Sequence, residues 1–246
     1  MSEQRPPQRQ SGLRLGTFAG APVYIEPTFL LLAAYIVGSS LLSNGTAALG
    51  SALIFVAAIF VAIIIHEFGH AAMAAALKIP SRRIVLTFFG GYVEFVRPPQ
   101  KPWHEIAVSA AGPGANLASW IFMLSLLPLL EPAMASDPVN DMVLNGLSTF
   151  AWLSLILGVF NLLPGFPLDG GHILRAALTY VVPRTSARIF TAYVGLLLAG
   201  GLLIYALSQG MIWTLFIAGL LGLTAWTELR SAQYDRQRGV DSTSNA

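Results

Sequence analysis

The stretch that decides the fold is IFVAIIIHEFGHAAMAAAL, residues 59–77. It is apolar apart from His66, Glu67, Gly69 and His70, and with the apolar residues before it the run reaches the 20 or so residues that a membrane-spanning helix needs. Residues four positions apart share a helix face, so His66 and His70 can bind one metal ion. Glu67 lies beside them and is placed to act as the general base in a hydrolysis.

Ionisable residues are rare inside membrane-spanning helices, because a charged side chain at the centre of a span costs about 2.5–3.5 kcal/mol on insertion scales. Three of them within little more than one helical turn indicate a functional site. Lys78 is the first basic residue after them, and it lies about 12 Å along a helix from His70. We therefore expect the histidine pair to lie below the membrane surface but not at its midplane.

The whole chain has the composition of a membrane protein. Of its 246 residues, 55% are hydrophobic and 11% are charged, whereas soluble domains carry about 25% charged residues. The net charge of +2 leaves no basic surface for phosphates, which argues against nucleic acid as a partner. The chain has no cysteine, so disulfides, thiolate zinc sites and a cysteine nucleophile are excluded.

Six apolar runs are predicted to cross the membrane as helices. They cover residues 28–42, 51–77, 106–130, 142–163, 189–207 and 211–227. All 14 basic residues precede the first run, follow the sixth, or lie between the second and third and between the fourth and fifth. The positive-inside rule then places both termini in the cytoplasm. We expect a multi-pass protein of the cell membrane.

Two segments are predicted to form strands. Residues 13–25 hold short apolar runs broken by Gly and Pro, and residues 83–96 hold β-branched and aromatic runs on either side of Gly90 and Gly91. A Gly-Gly pair between two such runs predicts a hairpin. The alternative is an irregular loop at the membrane interface. Because open strand edges are not tolerated in lipid, the hairpin must pack on protein or lie at that interface.

The predicted fold class is an all-α polytopic membrane protein with six transmembrane helices and a small membrane-associated β-sheet or hairpin. Residues 1–230 are expected to form a single transmembrane domain around the core spans 51–77, 106–130 and 142–163. The polar residues 231–246 are predicted to be a disordered cytoplasmic tail.

A catalytic zinc site usually has three protein ligands and an open position. The segment NLLPGFPLDGGHILR, residues 161–175, follows the fourth span and offers Asp169. The second and fourth spans both run toward the cytoplasm, so His70 and Asp169 converge on the same side of the membrane. His172 is the alternative third ligand, and Asp169 could instead cap the following helix.

The same segment contains residues that interrupt a helix. Pro164 and Pro167 are expected to break it, and the Gly170-Gly171 pair to allow a tight turn. Broken helices at membrane depth occur where they are buried or line a wet cavity. Asn161, near the end of the fourth span, could hydrogen-bond a substrate or an oxyanion, or could bond to a neighbouring helix.

In the third span, residues 110–116 have the sequence AAGPGAN. Gly112 and Asn116 are four positions apart and share a helix face. Because small residues allow helices to approach closely in membranes, we predict a packing role for this face.

Together these motifs resemble the site-2 protease family of intramembrane zinc metalloproteases. HEFGH in the second span, GPGAN in the third and NLLPGFPLDGG after the fourth match that family in order and spacing, over about residues 12–175. The resemblance implies one Zn²⁺ ion bound by His66, His70 and Asp169, with Glu67 as the catalytic residue.

The resemblance also implies how a substrate is bound. A hairpin that includes Gly90 and Gly91 would guide an extended substrate, and Asn161 would lie near it. Some relatives carry regulatory or peptide-binding domains, for which this chain has no room, so we expect the small microbial type.

The expected function is hydrolysis of a peptide bond in or near the transmembrane segment of another membrane protein, at an active site toward the cytoplasmic side. The expected partners are the lipid bilayer and transmembrane substrates, including membrane-tethered regulators. A membrane metal transporter and a non-catalytic homologue that binds helices are the alternatives. The nearly pure apolar character of the first, fifth and sixth spans argues against a transporter. The presence of Glu67 argues against a silent homologue.

Overall fold

The computed structural model describes residues 12–88, 90–134 and 138–238. The helices are α1 (Pro27–Asn44), α2 (Leu49–Ala76), α3 (Pro102–Met134), α4 (Pro138–Asn161), α5 (Asp169–Leu178), α6 (Arg184–Gln209) and α7 (Ile212–Gln237). The strands are β1 (Leu13–Phe18), β2 (Ala21–Ile25), β3 (Ser81–Thr87) and β4 (Gly90–Phe95).

Within the described part of the chain, six helices are long and apolar enough to cross a membrane, namely α1 to α4, α6 and α7. They coincide with the six predicted apolar runs, and a small sheet accompanies them, so the predicted fold class is confirmed. Several helices are longer than their apolar runs. Helix α3, for example, begins at Pro102, because proline is well suited to the first turn of a helix.

Helices α2, α3 and α4 pack together as the centre of the bundle. One buried cluster joins all three and consists of Ala58, Ala62, Met123, Phe150 and Ala151. Small side chains dominate, as expected where helices approach closely in a membrane. Gly158 of α4 shows how close: a Cβ there would lie 3.1 Å from the Pro113 carbonyl oxygen of α3.

The four strands form one sheet in the order β1-β2-β3-β4. β1 pairs antiparallel with β2, β2 pairs parallel with β3, and β3 pairs antiparallel with β4. The sheet packs on α2 through Ala21, Val23 and Ile84, which surround Ala71. This contact covers the part of α2 that carries the histidine pair.

The predicted position of the hairpin turn is wrong. Thr87 pairs with Gly90 and Leu86 pairs with Gly91, so both glycines belong to β4 and the strands are joined ahead of them. The strands themselves lie where the sequence predicts them. Gly91 is explained by its close contact with Glu67 of α2, and Gly90 by its positive φ.

Helices α6 and α7 pack against each other at the side of the bundle. Arg188 of α6 donates hydrogen bonds to Glu228 at 2.8 Å and to Asp235 at 2.6 Å, and Ala232 is fully buried. These contacts hold the end of α7 in a helix as far as Gln237. The prediction of disorder is therefore wrong for residues 231–237, and residues 239–246 of that predicted tail lie outside the described residues.

Candidate metal centre

Helix α2 buries His66, Glu67 and His70 inside the protein. Their exposed fractions are 6%, 4% and 8%. The two imidazole rings lie edge to face with 4.7 Å between their centroids, because side chains four positions apart project from one helix face. Polar groups buried in this way need polar partners, since an unpaired polar group in an apolar interior is costly.

Asp169 reaches the two histidines from the first residue of α5. Its Oδ2 atom lies 3.0 Å from Nε2 of His66 and 3.4 Å from Nε2 of His70. One ligand atom from each residue lies within 4.8 Å of the other two. The structure therefore brings together the three residues that the sequence analysis singled out as ligands.

The chain leaves helical geometry before Asp169, and this break carries the carboxylate to α2. Helix α4 ends at Asn161, and Pro164 and Pro167 lie in the break, where the sequence predicts it. Asn161 is partly buried, and its Nδ2 donates to the Leu157 carbonyl oxygen at 2.9 Å. One amide hydrogen of Asn161 is thus used within its own helix.

Gly170 and Gly171 do not form the predicted tight turn but lie in the first turn of α5. A Cβ on Gly170 would overlap the carbonyl oxygens of Leu162 and Leu163. A Cβ on Gly171 would lie 2.6 Å from the carbonyl carbon of Gly165. The two glycines are required because the broken segment folds back onto the start of α5.

Asn116 of α3 orients the His66 ring. His66 Nδ1 lies 2.7 Å from Asn116 Oδ1, and Asn116 Nδ2 donates to the Ala62 carbonyl oxygen at 3.0 Å. Because the Ala62 carbonyl can only accept, the amide oxygen of Asn116 must face His66 and accept from Nδ1–H. The lone pair of His66 is then on Nε2, the atom that faces Asp169.

His70 is oriented in the same way by a backbone carbonyl of α3. Its Nδ1 lies 2.7 Å from the Val108 oxygen, which can only accept, so Nδ1 carries the proton. Because Nδ1 carries the proton, the lone pair of His70 is also on Nε2. The helix hydrogen bonds of this turn of α3 are already interrupted, because Pro113 has no N–H to donate to the Ser109 carbonyl.

Gly112 allows α3 to approach this closely. A Cβ on Gly112 would overlap Nε2 and Cε1 of the His70 ring. Gly69 plays the corresponding part on α2, since a Cβ there would overlap the Ala111 carbonyl and lie 3.0 Å from the Ala115 Cβ. The sequence predicted packing for this face of α3, but the bond from His66 to Asn116 was not predicted. The only signal for it was the shared face of Gly112 and Asn116.

Glu67 lies beneath β4. A Cβ on Gly91 would lie 2.5 Å from the Glu67 Cγ and 2.7 Å from its Oε1. The backbone of β4 therefore passes directly over the carboxylate and encloses it together with α2. Gly90 differs, because a Cβ there would meet nothing within 4 Å and its φ of 119° lies in the region that favours glycine.

His172, the alternative third ligand, belongs to a different cluster. Its Nδ1 lies 3.6 Å from Oε1 of Glu105, and the same oxygen accepts a hydrogen bond from Arg175. The Arg175 guanidinium also lies over the Phe166 ring, 5.4 Å from the ring centroid. These contacts join the start of α3 to α5 and to the broken segment, so they help to position Asp169. The sequence analysis gave no such role to Glu105 or Arg175.

The donor set fits zinc. Two neutral imidazole nitrogens and one carboxylate oxygen are ligands that catalytic zinc sites use, with a further position left open for water or substrate. Calcium and magnesium prefer oxygen ligands alone. Both imidazoles donate their other N–H to an oxygen, which is the usual arrangement of histidines that bind zinc.

The family model of peptidase family M50 matches residues 54–132 and 129–202 of the chain. The matched residues include α3, α4, α5 and nearly all of α2, and therefore the whole metal centre. The site-2 protease from Methanocaldococcus jannaschii has a similar structure, with a TM-score of 0.65 and 27% sequence identity. The match covers 89% of this chain and 95% of that chain. The resemblance drawn from the sequence motifs is confirmed.

Three relatives match over much of the chain. A zinc metalloprotease of Methanocaldococcus jannaschii is 32% identical over 79% of this chain and 54% of its own length. Stage IV sporulation protein FB of Bacillus subtilis is 30% identical over 70% of this chain and 57% of its own length. A protein of Synechocystis is 29% identical over 92% of this chain and 62% of its own length. The chain thus spans little more than half of each relative.

The close contact at Gly112 can be tested by a pair of alanine substitutions in one helix. Gly112→Ala should displace the His70 ring, so the purified protein should bind zinc in less than stoichiometric amounts, as measured by elemental analysis. Gly114→Ala is the control, because a Cβ there would meet nothing within 4 Å. Full zinc occupancy in the Gly112→Ala protein would contradict the assignment.

The role of Asn116 can be tested by its effect on zinc affinity. Asn116→Ala leaves the His66 Nδ1–H without its acceptor, and loss of such a partner lowers zinc affinity by about 10- to 100-fold. Competition with a chelator measures this change. Ser119→Ala should leave the affinity unaltered, because the Ser119 hydroxyl donates only to Ala115 of its own helix. Equal affinities in the two variants would rule out the proposed orientation of His66 by Asn116.

Proposed function

Because the chain belongs to peptidase family M50, we propose that it is an intramembrane zinc endopeptidase that cleaves in or near a transmembrane segment of another membrane protein. The observation that carries the proposal is the enclosure of His66 and His70, which are buried, and Asp169, which is partly buried, beside Glu67. The described part of this chain has six helices long and apolar enough to cross a membrane. We infer that substrates reach this site from within the membrane, and we expect membrane-tethered regulators among them.

His66, His70 and Asp169 are the residues that would hold the zinc ion. When bound there, zinc supplies Lewis-acid polarisation of the scissile carbonyl and makes a water molecule more acidic. Asn116 and the Val108 carbonyl keep both imidazoles in the tautomer that zinc ligation needs. The protein therefore holds the ligands in place before the metal arrives.

Glu67 follows the first ligand directly in the chain and is enclosed by β4. In the proposed mechanism its carboxylate takes a proton from the attacking water and later delivers it to the leaving amine. Gly91 keeps the backbone of β4 close above Glu67, and this contact limits the movement of the carboxylate. Such positioning is needed because proton transfer requires hydrogen-bond distance to the reacting groups.

A substrate helix must unwind before it can be cleaved, because its amides are hydrogen-bonded to residues four positions away. β4 lies at one end of the sheet order, so its outer edge can pair with an extended segment. A segment paired there would pass Gly90 and Gly91 and lie close to Glu67. We assign these two glycines, together with Asn161 at the end of α4, to substrate binding.

We further propose that the metal centre faces the cytoplasmic side of the cell membrane. Helices α2 and α4 both lead toward it, and the connections that follow them hold Lys78, Arg82, Arg175 and other basic residues. The positive-inside rule places such connections, and with them both termini, in the cytoplasm.

Replacing Glu67 by glutamine separates metal binding from catalysis. Glu67→Gln should retain stoichiometric zinc but lose activity on a membrane substrate by about 10²- to 10⁴-fold, the usual range for a general base. Zinc analysis and a cleavage assay in proteoliposomes measure the two properties. Normal cleavage by this variant would contradict the mechanism, and intact zinc with no activity even in the parent protein would favour a non-catalytic homologue.

The contact between β4 and Glu67 predicts an activity defect without loss of metal. Gly91→Ala should push Glu67 out of position, and a displacement of about 1 Å can lower turnover by about 100-fold. Gly16→Ala is a matched control in the same sheet, since a Cβ there would meet nothing within 4 Å. We expect kcat to fall and zinc content to stay constant in Gly91→Ala only. A variant as active as Gly16→Ala would show that the contact has no catalytic role.

A further inference from the structure

A groove of 720 Å³ lies between the N-terminal halves of α2 and α4, at the end of the bundle away from the metal centre. Ser51 and Phe55 of α2 form one wall, and Asp141, Asn145 and Ser148 line the other. The mechanism proposed above uses none of these residues.

The groove is aligned with the metal centre because both of its walls lead there. Helix α2 carries Glu67 sixteen residues after Ser51, and α4 carries Asn161 sixteen residues after Asn145. At 1.5 Å per residue, the groove lies about 24 Å along α2 from Glu67 and about 24 Å along α4 from Asn161, where α4 ends ahead of the segment that carries Asp169. A substrate helix lying along α2 and α4 would occupy the groove with its far end while its near end reached Glu67.

One wall of the groove carries polar side chains along the first part of α4. Asp141, Asn145 and Ser148 lie at helical spacing on one face and extend about 10 Å into the span. Deeper in the groove Trp152 and Ile156 replace them. Because polar groups that face hydrocarbon are costly, a substrate group that pairs with this strip in the membrane would be polar.

The charge at this end of the bundle indicates the chemistry of that partner. Residues 131–141, from the end of α3 to the start of α4, include three acidic residues, and all 14 basic residues lie in other parts of the sequence. A second groove of 390 Å³ adjoins the first, since it shares Ser51 and Phe55, and it adds uncharged polar groups from α1, including Ser40. A cationic group would therefore meet Asp141 and hydroxyl groups, and among the described residues no basic side chain lines either groove.

We propose that this groove is a subsite for the uncut, helical half of the substrate and that Asp141 binds a lysine or arginine in it. This proposal rests on the proposed function. The preferred cation lies about 16 to 20 residues from the scissile bond, because Ser51 is sixteen residues from Glu67 along α2 and Asp141 is twenty residues from Asn161 along α4. Asp141 is then a residue that determines specificity at a distance from the reaction.

The test uses the full-length protein in proteoliposomes and a panel of single-span reporter peptides with one cleavage site. The reporters carry Lys, Gln or Glu either 18 or 10 residues from that site. We expect Lys at the distant position to raise kcat/KM over Glu by about fivefold, the upper range for an accessible ion pair. Lys at the nearer position should give no such advantage.

Two variants decide the question, and each replaces an acidic residue by lysine at the end of the bundle that holds the groove. Asp141→Lys should reverse the preference, so that the Glu reporter is cleaved faster than the Lys reporter. Glu131→Lys is the matched control, because Glu131 lies near the end of α3 and does not line the groove. The proposal is overturned if the parent protein does not prefer the distant Lys reporter over the Glu reporter, or if Asp141→Lys keeps that preference. In either case we would assign the groove to lipid headgroups.

Binding of the same reporters to the Glu67→Gln protein is measured in parallel by photo-crosslinking. Stronger crosslinking of the distant Lys reporter, lost in the Glu67→Gln/Asp141→Lys protein, supports the subsite even where no reporter is cleaved. Absence of cleavage in the parent protein would count against the proposed function. Equal crosslinking of Lys and Glu reporters would count against the subsite.

Discussion

The structure depends on three ionisable side chains enclosed between its helices, namely His66 and His70, which are buried, and Asp169, which is partly buried. None of them could be buried there alone, because an isolated polar group in such surroundings loses its water without compensation. Asn116 and the Val108 carbonyl of α3 accept from Nδ1–H of the two imidazoles, and a zinc ion held by both Nε2 atoms and the Asp169 carboxylate would compensate the remaining polar atoms. The relative positions of α2, α3 and α5 follow from satisfying this one set of polar groups.

Glycines make that arrangement sterically possible. Gly112 brings α3 against His70, Gly91 brings β4 against Glu67, and Gly170 folds the broken segment onto α5. At each position a single methyl group would overlap or crowd a residue of the site or the backbone that positions it. The backbones of α3, β4 and the broken segment thus pack closely around the site. This close packing confines the side chains of the site to one geometry before any ligand binds.

The proposed activity divides the bundle into two functional ends. At the end that carries the metal centre, an extended substrate segment would be held by the edge of β4. At the opposite end, the part of the substrate that stays helical would lie between α2 and α4, with Asp141 as its charged contact. An extended segment needs the free backbone groups at the edge of a strand for its hydrogen bonds, whereas a helix satisfies its own backbone hydrogen bonds in lipid. Each part of the substrate would thus be bound in the conformation that its surroundings allow.

The sequence by itself determined the spans, the ligand types and the pairing of His66 with His70, because lipid imposes long apolar runs and helices impose a fixed spacing. It also indicated Asp169, since alternate spans run in the same direction. Tertiary structure alone decided that Asn116, 50 positions from His66, orients that ring, and that β4 covers Glu67. Those contacts depend on which faces of distant elements meet, and no local periodicity specifies the rotation of one helix or the register of one strand against another.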